Sequence, residues 1–252
     1  MLTETDDRIL AAVNLHAVFG ALPRLAELVP EARELLAGLA KPVTLTFKVA
    51  GGDSAVLVFR RDGITTGGPR QGTRAALRFR SPAHLNAVVA GKAQPFPLAG
   101  PAGLRFLTRV FTPLTDLLGR QLRPEGDEPG DVSRLLLLDV ATSALVVIAN
   151  EDRSGRFSAG QMADGDLDIA VGDRLRYRLR VADHRLARIP ATDSPARAVF
   201  GFADLRTAGD VLAGRESALA CAGDGRITMS GYIPLVDNTS RILDRVGHYL
   251  GK

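Results

Sequence analysis

The chain of 252 residues has one cysteine, Cys221, no tryptophan and three tyrosines. A lone thiol excludes an internal disulfide framework and a cysteine-ligated structural metal. The core must therefore rest on Leu, Val, Ala and the ten phenylalanines. The four histidines, His16, His84, His184 and His248, are scattered and share no metal-ligand spacing. No Gly-x-Gly-x-x-Gly or Walker loop supports a nucleotide cradle, and no Gly-x-Ser-x-Gly elbow is present. Neither a metal nor another cofactor is expected. Charge of one sign is also scarce. Lys and Arg total 32 against 28 Asp and Glu, for a net charge of +4. That excess is too weak to argue for nucleic acid, but it allows transient attraction to an anionic membrane surface. The first residues, Met-Leu-Thr-Glu-Thr-Asp-Asp, are acidic where a signal peptide is basic. The longest apolar run, 135–149, is broken by Asp139 and falls short of a membrane span. The expectation is a soluble cytoplasmic protein.

What the sequence does contain is a repeat. Phe111-Thr-Pro-Leu-Thr-Asp116 returns as Tyr232-Ile-Pro-Leu-Val-Asp237, 121 residues later. Upstream, residues 73–106 align without a gap on 196–229, with eight of 34 positions identical, among them Arg74/Arg197, Phe79/Phe202, Gly91/Gly214 and Gly100/Gly223. An offset near half the chain implies a duplicated domain rather than a short-period solenoid. The expected division is a first domain over 1–123, an acidic, Pro- and Gly-rich linker over 124–132, and a second domain over 133–252.

Periodicity supplies the elements. Ile9, Val13, Val18, Phe19 and Leu22 follow helical spacing until Pro23 interrupts or ends the helix. Pro30 opens a second helix. From Val43 the period is two, with Leu45, Phe47 and Val49 opposed to Thr44, Thr46 and Lys48. Gly51-Gly52-Asp53 and Asp62-Gly63 read as turns flanking a strand at 55–60. Leu77 and Phe79 mark another strand. Ser81, Pro82 and Gly91 bound a short helix as N-cap, first residue and left-handed stop, with Asp204 and Gly214 as their second-half counterparts. Leu104 and Phe106 match Ile227 and Met229 as a last strand before the Pro-Leu helix. Residues 133–150 fit a helix capped by Ser133 or, through Val146, Val147 and Ile148, a strand. Strands are expected at 166–171 and 175–181. Each half thus reads as α+β, an antiparallel-rich twisted sheet covered by helices on one face.

Several polar groups are candidates for chemistry. His84 lies near a helix cap, and its counterpart is Thr207. Cys221 aligns with Leu98 and reads as a small buried residue rather than a nucleophile. Asp164, Asp166 and Asp168 lack the glycine and closing glutamate of a calcium loop and read as a solvated strand edge. Arg176, Arg178 and Arg180 read as the wet face of a strand, with an anionic surface as the alternative. Asp116 and Asp237 would cap a helix, pair with Arg74 and Arg197, or place a carboxylate at a pocket mouth. Phe111 and Tyr232 are core residues or pocket lining.

The segment Phe202-Ala-Asp-Leu205 through Leu212-Ala-Gly-Arg215, followed by Ala222-Gly-Asp-Gly-Arg-Ile-Thr-Met-Ser-Gly231, resembles the sterol carrier protein type 2 family. The first half resembles it more loosely, at Phe79-Arg-Ser-Pro82, Val89-Ala-Gly-Lys92 and Leu98-Ala-Gly-Pro101, and departs at Pro95, Pro97 and Pro101. The resemblance implies two tandem sterol-carrier-like domains, each with an apolar cavity between its sheet and its last helix. It implies non-catalytic binding or transfer of a lipid or other apolar small molecule, with a homodimer among the assemblies such domains form. The expected cavity wall is Leu104, Phe106, Phe111 and Leu114 in the first half and Ile227, Met229, Tyr232 and Leu235 in the second. Two other readings stand beside it. One is an enzyme using the same cavity through Asp237, Tyr232 and Cys221. The other is a structural module whose halves recruit a partner.

Overall fold

Proline has no N–H to donate, and its ring meets the carbonyl four residues back, so a regular helix does not run through it. In the computed structural model, which describes residues 5–123 and 129–251, the chain meets Pro23 by changing helix type. Helix α1 (Asp7–Val13) loosens into a π-turn over Asn14–Val18 and tightens into a 3-10 turn over Phe19–Ala21. It then resumes as α2 (Leu22–Leu28). The Phe19 N–H reaches back five residues to the Asn14 carbonyl. The proline is absorbed rather than ending the run. Helix α3 (Pro30–Ala37) follows, with its proline in the first turn.

The first sheet is built from β1 (Val43–Val49), β2 (Ser54–Arg60), β3 (Gly63–Thr66) and β4 (Thr73–Phe79). Helix α4 (Pro82–Val89) and β5 (Phe96–Ala99) complete it, in the order β3-β2-β1-β4-β5. The β1–β4 pair is parallel and the others are antiparallel. Val43, Leu45, Phe47 and Val49 are buried while Lys48 is exposed, as the alternation requires. Ser81 Oγ accepts from the His84 N–H at 3.1 Å, so α4 is capped as its sequence implies.

The last strand of this half is not where Leu104 and Phe106 put it. Both lie in α5 (Pro101–Phe106), which passes through a π-turn at Leu107–Phe111 into α6 (Thr112–Leu122). The strand is β5, across the prolines that made 95–97 look interrupted. Pro97 is tolerated because β5 is an edge strand bonded only to β4. The hexapeptide repeat is also misleading. Pro113 sits in mid-helix just after the π-turn, where the Thr112 N–H bonds the Leu107 carbonyl, while its counterpart Pro234 opens a helix.

Helix α7 (Asp131–Glu151) resolves the ambiguity at 133–150 in favour of helix. Ser133 does not cap it; its hydroxyl donates to Gln121 Oε1 at 2.8 Å. The helix has 21 residues and mean hydropathy 2.0, so it reaches spanning length, contrary to the expectation from its apolar run. Asp7–Leu28, with 22 residues and mean hydropathy 1.5, does too. Both are largely buried within the protein, as core helices are. Asp139 on α7 accepts from Arg188 Nη2 at 2.7 Å. The expected linker core, 124–128, lies outside the described residues.

Helix α8 (Arg153–Ala159) leads into β6 (Gly165–Val171), β7 (Leu175–Ala182), β8 (Arg185–Ile189) and β9 (Ala198–Phe202). Helices α9 (Leu205–Leu212) and α10 (Ala218–Gly223), strand β10 (Ile227–Gly231) and helix α11 (Ile233–Leu250) follow. The second sheet runs β10-β9-β6-β7-β8, with β6–β9 parallel. Read from its other edge, it repeats the strand order of the first. Asp204 caps α9 through the Thr207 N–H at 2.7 Å, and Gly91 and Gly214 follow α4 and α9 at φ +73° and +72°. The match ends there: α10 has no counterpart before β5. By compactness the chain forms one unit over Leu10–Leu136 and another from Leu137 on together with the residues up to Ile9.

The Asp and Arg rows are solvated only in part: Asp164, Arg176 and Arg180 are exposed, as expected, but Asp168 and Arg178 are not. Strand β6 is central, Asp168 lies opposite Arg178 on β7, and both residues are buried. Arg178 donates to both Asp168 oxygens at 2.7 and 2.9 Å, to Thr192 Oγ1 and to the Ser194 carbonyl, so the segment after β8 closes over that face. Asp166 and Arg180 form a similar but more exposed pair. A buried charge stripped of its partner is far costlier than an exposed one. Asp168→Ala is expected to lower unfolding free energy by about 3 kcal/mol or more, and Asp166→Ala by less than about 1 kcal/mol. Urea denaturation checks both, and equal losses would contradict the burial argument.

Asp152 ties three segments together. One carboxylate oxygen caps α8 through the Ser154 and Gly155 N–H groups, and the other accepts from the Tyr249 hydroxyl at 2.8 Å and Arg245 at 3.3 Å. The Asp6 N–H reaches Tyr249 Oη at 3.4 Å. Burial alone would raise the Asp152 pKa, but the Gly155 N–H, the Tyr249 hydroxyl and Arg245 hold it below 3.8. A depressed carboxyl stabilises the fold fully above its unfolded pKa of about 4 and loses that contribution as pH falls through the folded value. Asp152→Asn is therefore expected to flatten the acid limb of a stability–pH curve measured by urea unfolding. An unchanged limb would dismiss the node.

Candidate functional site

The wall residues expected in the first half differ in exposure. Phe106, Phe111 and Leu114 are buried, whereas Leu104 is 44% exposed on α5. Phe106 meets Phe59 with ring centroids 4.9 Å apart, and Phe111 meets Phe47 at 5.8 Å and Phe59 and Phe19 at 6.2 Å. Phe19 stacks on Phe47 at 4.9 Å. These are the spacings of a packed aromatic core. With no tryptophan available, five phenylalanines from helix and sheet occupy this space themselves.

The second-half set divides differently. Ile227 and Leu235 are buried, but Met229 is 45% and Tyr232 37% exposed, with Ile233 beside them at 62%. Met229 pairs with Phe200 on β9, so it lies on the same face as that buried ring. The apolar face of the sheet thus continues to its edge and is uncovered there, at the point where α11 begins. Helix α11 packs on β9 and β10. Its interior side carries Leu235, Val236, Ile242 and Val246.

The turn into α11 is held by Arg197. Its carbonyl accepts from the Tyr232 N–H at 3.0 Å, its guanidinium lies 4.1 Å from the centre of the Tyr232 ring, and Nη1 donates to the Asp164 carbonyl. Gly231 sits between them at φ +85°, with no room for a Cβ against the Arg197 carbonyl. These contacts place Tyr232 at this apolar edge. Arg197 serves Tyr232, and Asp237 pairs with Arg241 on its own helix at 3.2 Å, so the expected Arg197–Asp237 pair does not form. Asp116 is exposed on α6.

Another apolar edge escaped the sequence reading. On the first sheet, Phe96 and Leu98 are 42% and 55% exposed. With Arg78, Phe79, Arg80 and Pro97 they border an open cleft of about 410 Å³. Arg80 lies 4.6 Å from the Phe96 ring centre, and the His84 ring is 5.5 Å away. The alternating Phe96-Pro97-Leu98 signal was present but hidden by its prolines. His84 is cap-proximal, its Nδ1 accepting the Arg80 N–H at 3.1 Å.

Cys221 is buried, and its thiol donates to Glu216 Oε2 at 3.1 Å. Burial first, then that hydrogen bond and the nearby carboxylates, push the thiol pKa above 9.0 despite Arg226. A nucleophile needs the opposite shift. Native protein is expected to react with a thiol reagent such as dithionitrobenzoate at least about a hundredfold more slowly than urea-unfolded protein. Rapid native labelling would reopen the enzymatic reading.

No family model and no curated protein matches this sequence. Solved structures with partial likeness include a UbiJ-SCP2 ubiquinone synthesis protein, at 15% identity and TM-score 0.35 over 44% of this chain and 96% of that one. A sterol carrier protein 2 crystal structure is 20% identical, with TM-score 0.33 over 44% and 92% of the respective chains. The solution structure of a conserved hypothetical protein from Thermus thermophilus is 19% identical, with TM-score 0.32 over 44% and 85%.

Proposed function

We propose that this protein binds an apolar small molecule, a fatty acyl chain, a sterol or a related lipid, and acts as a carrier rather than a catalyst. The observation that carries the reading is the uncovered stretch of apolar sheet at the β10 edge. There Met229, Tyr232 and Ile233 lie exposed at the start of α11, and Ile227 and Leu235 lie buried. The motif resemblance over 202–231 supports the same place. The thioether of Met229 suits ligands of varied shape.

Magnitudes restrict the ligand. Burial yields roughly 0.8 kcal/mol per methylene, while association costs on the order of 4–15 kcal/mol in lost freedom. A guest of a few carbons gains too little, so a long chain or a polycyclic body is required. Two tandem domains of one architecture, over 1–123 and 133–252 in a cytoplasmic chain, belong to this proposal. In it the second domain holds the ligand, because the first fills its interior with phenylalanine. The enzymatic alternative is less supported, since Asp237 is engaged by Arg241 and the Cys221 thiol is held protonated.

Freshly purified protein is expected to release lipid on solvent extraction and to exchange an apolar fluorophore for fatty acids or sterols. Met229→Asp and Ile233→Asp, both at exposed positions, should weaken that binding roughly tenfold or more by placing charge in an apolar contact. Leu98→Asp on the other sheet should leave it unchanged. Absence of extractable lipid together with no fluorophore displacement would overturn the proposal.

A further inference from the structure

The cleft beside β5 belongs to a face with a distinct charge. Between residues 41 and 123 the chain carries thirteen basic and three acidic side chains, although its net charge is only +4 overall. Strands β1 to β5 contain no acidic residue. On their outer face the register aligns Lys48, Arg78 and Phe96 in one row across three strands, and Thr46, Ala76 and Leu98 in the next. Lys48, Arg74, Arg78 and Arg80 are exposed. Among the described residues none of these four forms an ion pair with a carboxylate, whereas Arg178 and Arg180 of the second sheet are both neutralised by aspartates.

We propose that this outer face docks the protein on an anionic lipid bilayer. Its arginines and lysine match the negative headgroup layer. Phe96 and Leu98, raised beside them, match the apolar boundary beneath it. Such a pairing of basic and protruding apolar groups is not inherent in the architecture. At the same positions of the second sheet Gly201 faces Thr228 and Val199 faces Ser230, all small and none basic. Nucleic acid fits the surface less well. The most exposed apolar group, Leu98, is aliphatic and offers no ring to stack a base, and one side of Phe96 is already covered by the Arg80 guanidinium. The face lies in the Leu10–Leu136 unit, whereas the residues proposed to hold a ligand belong to the other unit, so its role stands or falls separately from ligand binding.

The test is co-sedimentation of the full chain with phosphatidylcholine vesicles containing about one-third phosphatidylserine, against phosphatidylcholine alone. Binding is expected only to the anionic vesicles and is expected to weaken with salt. Arg78→Gln and Arg80→Gln should each reduce it about fivefold. Leu98→Asp should reduce it further. The charge-matched pair Arg153→Gln and Arg156→Gln should leave it intact. Circular dichroism melts matching the parent chain identify folded variants. Failure to partition, an equal loss in the Arg153/Arg156 pair, or Arg78-dependent binding to a DNA oligonucleotide that is tighter than to vesicles would each overturn the assignment.

Discussion

The parallel pairing of β1 with β4, and of β6 with β9, is the constraint on which both halves depend. A chain that has just made an antiparallel meander must cross back over the sheet to lie beside its first strand. Once there, the next short helix and strand are forced to the free edge, as β5 or β10. That edge strand is bonded on one side only. The helix following it, α5 or α11, starts at the same edge and returns across the apolar face. Exposed apolar side chains therefore gather at this edge in both units.

The two units use the shared edge differently because their side chains differ in size and charge. In the first, Phe19, Phe47, Phe59, Phe106 and Phe111 meet ring to ring beneath the sheet. At its β5 edge Phe96 and Leu98 are exposed on the outer face, beside arginines that have no carboxylate partner among the described residues. In the second, aspartates of β6 pair with arginines of β7, and at the β10 edge the exposed apolar group of the sheet, Met229, is on the inner face. One strand order thus presents an inward apolar edge in one unit and an outward basic one in the other.

Much of the framework was legible in local sequence. The hairpin glycines, the Ser81 and Asp204 caps and the alternation from Val43 onward each rest on chemistry within a few residues and agree with the structure, except at Thr44, which is buried where the alternation makes it wet. The errors came where identity of letters was taken for identity of place. Pro-Leu-x-Asp begins α11 but falls inside the helix running from Pro101 to Leu122, because a π-turn lets Pro113 sit in mid-helix. Leu104 and Phe106 alternate like strand residues yet are helical, since β5 had already filled the edge position eight residues earlier across two prolines. The Arg row on β7 has the period of a wet face, and periodicity carries no information about the segment at 190–197 that closes over Arg178.

By itself the sequence determined the α+β class, the recurrence of one helix-capping pattern in both halves, and the presence of a single cysteine. All of these follow from residue type and short-range spacing. Only the tertiary structure decided which apolar side chains are spent on packing and which stay at an edge, and which charges are neutralised across strands. Those outcomes depend on partners brought together over tens of residues, such as Asp168 with Arg178 and Phe59 with Phe106, and no local pattern specifies such partners.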